Sequence, residues 1–201
     1  MQRLKLLCFT LFKIGPKTFF NQLKRSIYEE KTVYHYKLPV KDVRKFPIKE
    51  KFEHKIFYNF GELPQNVKEK VETTLGREKL KVFRERLNYS SEIVCTFLSG
   101  EFVSYCFFAY SREQFAFFTL PKGEIYFYDC FTFPEYRGKS AVYSEVKYVL
   151  DVFDKGKYEY ANVEIEEWNT ASQKAFAKLG FYKTKEFYLK RILFFERKVK
   201  L

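Results

Sequence analysis

The chain has 201 residues, 46% of them hydrophobic and 31% charged, a size and balance that fit one globular domain with a sizeable core and exclude low-complexity classes. Four cysteines without a C-x-x-C spacing, and two histidines (His35 and His54) distant from them in sequence, leave no zinc ligand set, so no metal is expected. The net charge of +12 suits an anionic partner, yet Phe outnumbers Tyr, the aromatics fall mostly in apolar runs and no arginine-rich recognition helix is present, which argues against nucleic acid.

The charge is concentrated at the amino terminus, where residues 1–55 hold fourteen Lys or Arg against five Asp or Glu. Leu4 to Ile14 is apolar, Gly15-Pro16 breaks it, and Phe19, Leu23 and Ile27 line one face of a second expected helix, opposite Lys17, Lys24 and Arg25. The apolar part is too short to span a bilayer and lacks the cleavage site of a signal peptide, so a cytoplasmic protein is expected. Two readings stand: an extra helix packed on the domain, which is favoured, or a basic amphipathic element over residues 1–30 lying on an anionic membrane surface at the inner face. The expected organisation is a basic N-terminal helical extension over 1–50, packed on a domain over 51–201.

Lys51 to Tyr58 reads as the first strand. Pro64 to Leu75 and Arg77 to Leu87 read as two short helices parted by Gly76, with Val67, Val71 and Leu75 on one face. Ser91 to Leu98 and Glu101 to Tyr110 flank Ser99-Gly100 as a hairpin. Glu124 to Phe133 is the next strand. It stops at Pro134, and a basic, small-residue turn then opens a helix over about Lys139 to Lys155, with Val142, Val146, Val149, Leu150 and Phe153 at helical spacing. Such a turn binds phosphate: the first helical turn has unpartnered N–H groups and partial positive charge, and Gly138, Ser140 and Ala141 let an anion approach closely.

Asn162 to Trp168 alternates as a strand, with Val163 and Ile165 on one face and Glu164 and Glu166 on the other. A helix follows from Asn169, a good N-cap type, and ends at Gly180. Phe181 to Tyr188 and Lys190 to Lys198 read as a closing pair of strands. Cys8, Cys95, Cys106 and Cys130 read as buried thiols in a reducing compartment.

Two motifs around the strand at 162–168 carry a resemblance. Pro134, Arg137, Gly138 and Lys139 resemble the Pro-x-x-Arg-Gly-x-Gly turn of the GNAT superfamily of acyl-CoA-dependent N-acyltransferases, with Ser140 and Val142 at positions where that family usually has small residues. Asn169, Ser172, Phe176, Lys178, Gly180 and Phe181 resemble its second motif. The likeness covers about residues 124–190. It implies an α/β (α+β) fold, a mixed, strongly twisted central sheet with helices on both faces, in which two central strands splay apart to admit the pantetheine arm of acetyl-CoA.

The resemblance further implies that Phe131, Thr132 and Phe133 meet the pantetheine amides, that the amides of Arg137, Gly138, Lys139, Ser140, Ala141 and Val142 hold the pyrophosphate, and that Asn169, Ser172 and Phe176 line the cofactor side. The acceptor would be a primary amine attacking the thioester directly in a ternary complex, without metal or covalent intermediate. Its general base would be a carboxylate, Asp129 first and Glu166 second. Phe176 stands where many members place a tyrosine acid and has no proton to give. Water or a nearby tyrosine such as Tyr182 would take that role. The basic extension and the run Phe133 to Lys139 resemble members from bacterial surface-polysaccharide clusters that acetylate amino sugars. The alternative is a non-catalytic acyl-CoA-binding or membrane-surface interaction protein.

Overall fold

A computed structural model describes residues 28–45, 47–89, 91–110, 119–152, 157–192 and 195–200. In chain order these form β1 (Tyr28–Pro39), β2 (Phe52–Phe57), α1 (Gln65–Leu75), α2 (Arg77–Tyr89), β3 (Glu92–Leu98), β4 (Glu101–Ala109), β5 (Glu124–Thr132), α3 (Ala141–Val152), β6 (Tyr160–Glu166), α4 (Thr170–Leu179), β7 (Tyr182–Ile192) and β8 (Phe195–Lys200). The strands make one mixed sheet in the order β2-β3-β4-β5-β6-β1-β7-β8. β5 and β6 pair in parallel, and the other neighbours pair antiparallel.

Helices cover both faces, as expected. Val67 and Val71 of α1 and Phe83 and Leu87 of α2 pack on Ile93, Cys95, Phe102, Tyr105 and Phe107. On the other face Val146, Val149 and Leu150 of α3 and Phe176 and Leu179 of α4 pack on Val94, Phe108, Ile125, Phe127, Val163 and Ile165. Both sides of β3 and β4 are therefore dry, which is why these strands read as near-continuous apolar runs rather than as alternating ones. The hairpin at Ser99-Gly100 and the two helices parted by Gly76 (φ +92°) lie where the sequence places them.

The amino-terminal extension differs from its expected helical character. Residues 28–39 are a strand, and it sits inside the sheet, paired with β6 on one side and β7 on the other. The alternation of Tyr34, Tyr36 and Leu38, which pack toward α4, is its sequence trace, obscured by flanking charges. The helix expected around Phe19, Leu23 and Ile27, with its membrane-surface reading, lies outside the described residues. Among the described residues no helix is long and apolar enough to cross a membrane. The last hairpin also turns later than expected, because β7 stays paired with β1 as far as Ile192.

Cys106 and Cys130, expected as separate thiols, are joined by a disulfide, whereas Cys95 is buried and free. The reason is register. Tyr105 pairs with Phe131 and Phe107 with Tyr128, so Cys106 of β4 faces two residues of β5, Asp129 and Cys130.

Gly180 ends α4 with φ +104°, and a Cβ there would stand 3.3 Å from Arg44 Cγ and from Leu38 Cδ1. Gly180→Ala is expected to lower stability by about 2 kcal/mol, from the left-handed backbone plus the contact with β1. A urea midpoint unchanged from wild type would show that this cap does not hold α4 to the sheet.

Candidate functional site

The site begins where the parallel ladder stops. β5 and β6 pair from Glu124 with Tyr160 to Phe127 with Val163, and no further, although β5 continues to Thr132 and β6 to Glu166. Past Phe127 the edge of β5 that faced β6 has no strand partner among the described residues, so its backbone donors and acceptors are presented to the gap. The bulge at Asp129 (φ +48°) marks the divergence. A side chain holds it: both Asp129 oxygens accept from Lys79 Nζ, at 2.8 and 2.7 Å, and Oδ2 also accepts from Arg86 Nη1. Lys79 and Arg86 are seven residues apart on α2, two turns along one face.

Beyond the gap the chain makes the turn expected ahead of α3. After a short 3-10 turn at Pro134–Tyr136, Gly138 (φ +81°) and Ser140 (φ +67°) both take left-handed backbone, and α3 starts at Ala141. The amides from Gly138 to Val142 thus head a helix with no preceding turn to accept them. Alternating backbone of this kind makes an anion-binding concavity.

A cavity of about 630 Å³ joins the gap and the turn. Its walls include Cys130, Phe131 and Thr132 from β5, Arg137, Gly138, Ser140, Ala141 and Val142 from the turn, and Asn169, Ser172, Lys174 and Lys178 from α4. Residues far apart in sequence, 131–142 and 169–172, are brought together at the carboxyl ends of the parallel pair, the place where open α/β sheets bind ligands. The Asn169 side chain caps α4, its Oδ1 accepting from Ser172 N at 3.2 Å. Arg137 Nε donates to Thr132 O at 3.3 Å, which draws the guanidinium back along the pocket.

Three expected cofactor contacts stand differently. The Phe133 amide donates to Val103 O at 3.1 Å and its ring is in the core, so it does not face the cavity. The Arg137 amide closes the 3-10 turn on Pro134 O at 3.3 Å. Phe176 is buried edge-on against Phe181 beneath α4 rather than lining the cleft. Lys139 lies at the turn, with its ammonium 5.7 Å from the Tyr136 ring centre. Tyr182 is half exposed at the start of β7 and is not among the cavity residues.

Glu166 ends β6, two residues before Trp168, and is not itself among the cavity residues. Its carboxylate accepts from Lys31 Nζ at 2.7 Å and from Trp168 Nε1 at 2.5 Å, and the side chain is about one third exposed. Trp168 itself is 74% exposed on the cavity wall. The sequence singled out Lys178 only as a motif residue, and did not single out Trp168, Lys174 or the Lys79–Arg86 clamp as part of the site. The i, i+7 spacing of the clamp and the i, i+4 spacing of the two α4 lysines were the available signals. Among the described residues no group of three or more His, Cys, Asp or Glu is placed to hold a metal ion.

The model of the acetyltransferase (GNAT) family matches residues 60–181. No curated protein matches the chain by sequence. The fold is similar to an X-ray structure of a Drosophila protein, with TM-score 0.56 and 13% identity over 88% of this chain and 58% of that one. It is similar to AAC(6')-Iy in complex with a bisubstrate analogue, CoA-S-monomethyl-acetylneamine, with TM-score 0.54 and 14% identity over 75% and 100%. A tandem GNAT protein from the clavulanic acid biosynthesis pathway gives TM-score 0.55 and 13% identity over 92% and 58%. The chain therefore spans less than two thirds of the Drosophila and tandem proteins, and identities this low speak for the fold alone.

Ser140 holds a left-handed conformation that glycine takes without strain. Ser140→Gly is expected to raise stability by about 1 kcal/mol and to keep the turn's shape. A loss of stability in denaturant titration would instead assign the Ser140 side chain a structural bond that outweighs the strain.

Proposed function

Because the chain belongs to the acetyltransferase (GNAT) family, we propose that it transfers an acetyl group from acetyl-CoA to a primary amine of a small molecule, by direct attack in a ternary complex. The observation that carries this reading is the cleft, in which two parallel strands part at Phe127 and Val163 and lead straight to a left-handed turn at a helix N-terminus. The unpaired edge of β5 at Cys130 to Thr132 suits an extended amide-bearing arm, which would add to the sheet as a strand does. The amides of Gly138 to Val142, with Arg137 and Lys139 beside them, suit a diphosphate. The two α4 lysines on the cavity wall suit further phosphate charge.

Bound acetyl-CoA supplies the activated acyl group, and this chain's residues position and deprotonate the amine. An amine is protonated in neutral water and must lose a proton to attack. Asp129 has both oxygens committed to Lys79 and Arg86. We therefore assign it the work of holding the bulge open, and assign proton acceptance, directly or through one water, to Glu166, whose oxygens each accept one bond, which meets one cation rather than two, and whose side chain is the more exposed. We assign stabilisation of the negative charge that develops on the acyl oxygen to backbone N–H groups on the open edge of β5. With Phe176 in the core, the phenols on the cavity wall are Tyr136 and Tyr143, the latter donating to Arg44 O, and water is the simpler proton source for a thiolate. An amino sugar is the acceptor class to test first, since the similar AAC(6')-Iy structure carries an acetylneamine analogue.

The chain has one tryptophan, and it lies on the cavity wall. Its fluorescence is expected to change saturably with acetyl-CoA and with CoA. Arg137→Ala should weaken both about tenfold, roughly 1.4 kcal/mol, while Trp168→Phe abolishes the signal but not calorimetric binding. A flat titration of folded wild type by both methods would remove the cofactor assignment.

In a screen of amine acceptors followed by thiol release, wild type should turn over, and Glu166→Gln should lower kcat by about a hundredfold with little change in the KM for acetyl-CoA. Saturable binding without release of thiol from any amine would favour the non-catalytic acyl-CoA-binding reading instead.

A further inference from the structure

Glu145 occupies a position where an apolar residue is expected. It lies between Ala141 and Val149 on the sheet-facing stripe of α3, one turn inside the phosphate turn, and is fully buried. Neither carboxyl oxygen has a well-formed hydrogen bond among the described residues. Burial pushes its pKa up to about 8, and the nearby Thr96 and Ser104 hydroxyls offset only part of that.

Around it lies a buried polar cluster. His54 Nδ1 is 2.9 Å from Thr96 Oγ1, and its Nε2 is 2.7 Å from the Oγ of Ser144, the neighbour of Glu145. Ser104 Oγ bonds Phe131 O at 3.0 Å and lies 3.0 Å from Thr132 Oγ1, so the cluster reaches the cavity wall. Ser144 N in turn donates to Ser140 O at 3.0 Å, tying the cluster to the left-handed turn.

We propose that Glu145 is a positioning residue, which holds the first turn of α3 ready for the diphosphate of a CoA-type nucleotide only while it carries its own proton. The proposal rests on the reading of the cleft as a CoA site. A protonated carboxyl can donate to a cluster hydroxyl and leaves the positive end of the helix unopposed. An ionised one places a negative charge a single turn, about 6 Å, behind the amides that must accept an anion, in a dry region where screening is weak.

Among the described groups packed on α3, those with a resolved shift are moved away from neutrality, Glu145 excepted. His54 from β2 is held down to about 4 by burial and stays neutral. Cys95 from β3 and Tyr105 from β4 are pushed upward by burial. Cys106 and Cys130 from β4 and β5 are bonded to each other. Lys174 and Lys178 from α4 stand on the cavity side, and Lys147 on α3 pairs with Asp151.

The test has two arms, using wild type and Glu145→Gln. In the first, urea midpoints are followed from pH 5 to 9 without ligand. A carboxyl whose folded pKa is raised stabilises the fold fully at low pH and loses that contribution as pH rises toward about 8. Wild type should therefore lose stability relative to Glu145→Gln between about pH 5 and 8, and parallel curves would overturn the buried proton.

In the second arm desulfo-CoA, which has no thiol to titrate, is bound to both proteins from pH 7 to 9. Wild-type affinity should fall above pH 8, approaching tenfold per unit, while Glu145→Gln stays nearly flat. Equal slopes would overturn the positioning role. Calorimetry of wild type in two buffers of different ionisation enthalpy should show proton uptake near pH 8 without relying on the variant, and its absence would also overturn the coupling. No binding by folded wild type at any pH, with the first arm as expected, would reject the CoA site and the coupling together while leaving the buried proton established.

Discussion

The constraint on which the site depends is the bulge in β5 at Asp129. An antiparallel strand that inserts one extra residue must bend, and the left-handed φ of a non-glycine residue there is strained unless something holds it. The carboxylate of Asp129 bonds two cations of α2, Lys79 and Arg86, so the strain is offset by a half-buried, charge-assisted contact. Because β5 bends at that point, its ladder to β6 ends at Phe127. Because the ladder ends, backbone polar groups that a sheet would satisfy are left facing a gap. The open strand edge at this gap is a consequence of interrupted pairing.

The turn that follows gives the gap a backbone suited to an anion. Gly138 and Ser140 in left-handed backbone bring successive amides to one side, and α3 adds its N-terminal partial charge. Ser140 accepts strain that glycine would avoid, and the hydrogen bond from Ser144 to its carbonyl shows how the helix locks it. The same first turn is anchored from beneath by polar rather than apolar groups. His54, Thr96, Ser104, Ser144 and Glu145 lie in the layer between α3 and the sheet, where Val146, Val149 and Leu150 otherwise make ordinary packing. Buried polar groups of this kind fix one geometry at the expense of stability, since each must be satisfied or stay uncharged.

The aromatic richness of the chain serves packing for the most part. Phe83 meets Tyr105 and Phe107 edge-on, and Phe131 meets Phe133 at right angles, geometries that favour ring quadrupoles and knit α2 to β4 and β5. Cation–π contacts from Arg86 to Phe107 and Tyr128 extend the same clamp that holds Asp129. Lys79, Arg86, Phe107, Tyr128 and Asp129 are therefore one structural system around the bulge.

What the sequence determined by itself was local. Periodicity located α1 through α4, the Ser99-Gly100 hairpin and the strands at 124 and 162, because period, caps and turns depend on residues within a few positions of one another. The turn ahead of α3 and the Asn169 cap were legible for the same reason, each lying within one continuous segment. The tertiary structure decided everything that rests on register between distant segments. The insertion of β1 between β6 and β7 is one case, since an alternating segment carries no mark of its neighbours. The pairing of Cys106 with Cys130, the capture of Asp129 by Lys79 and Arg86, and the withdrawal of Phe133 and Phe176 into the two cores are others. Glu145 shows the limit most clearly: its sequence position is that of an ordinary helical glutamate, and only the packing of α3 on β2 to β5 removes it from water and makes its proton matter.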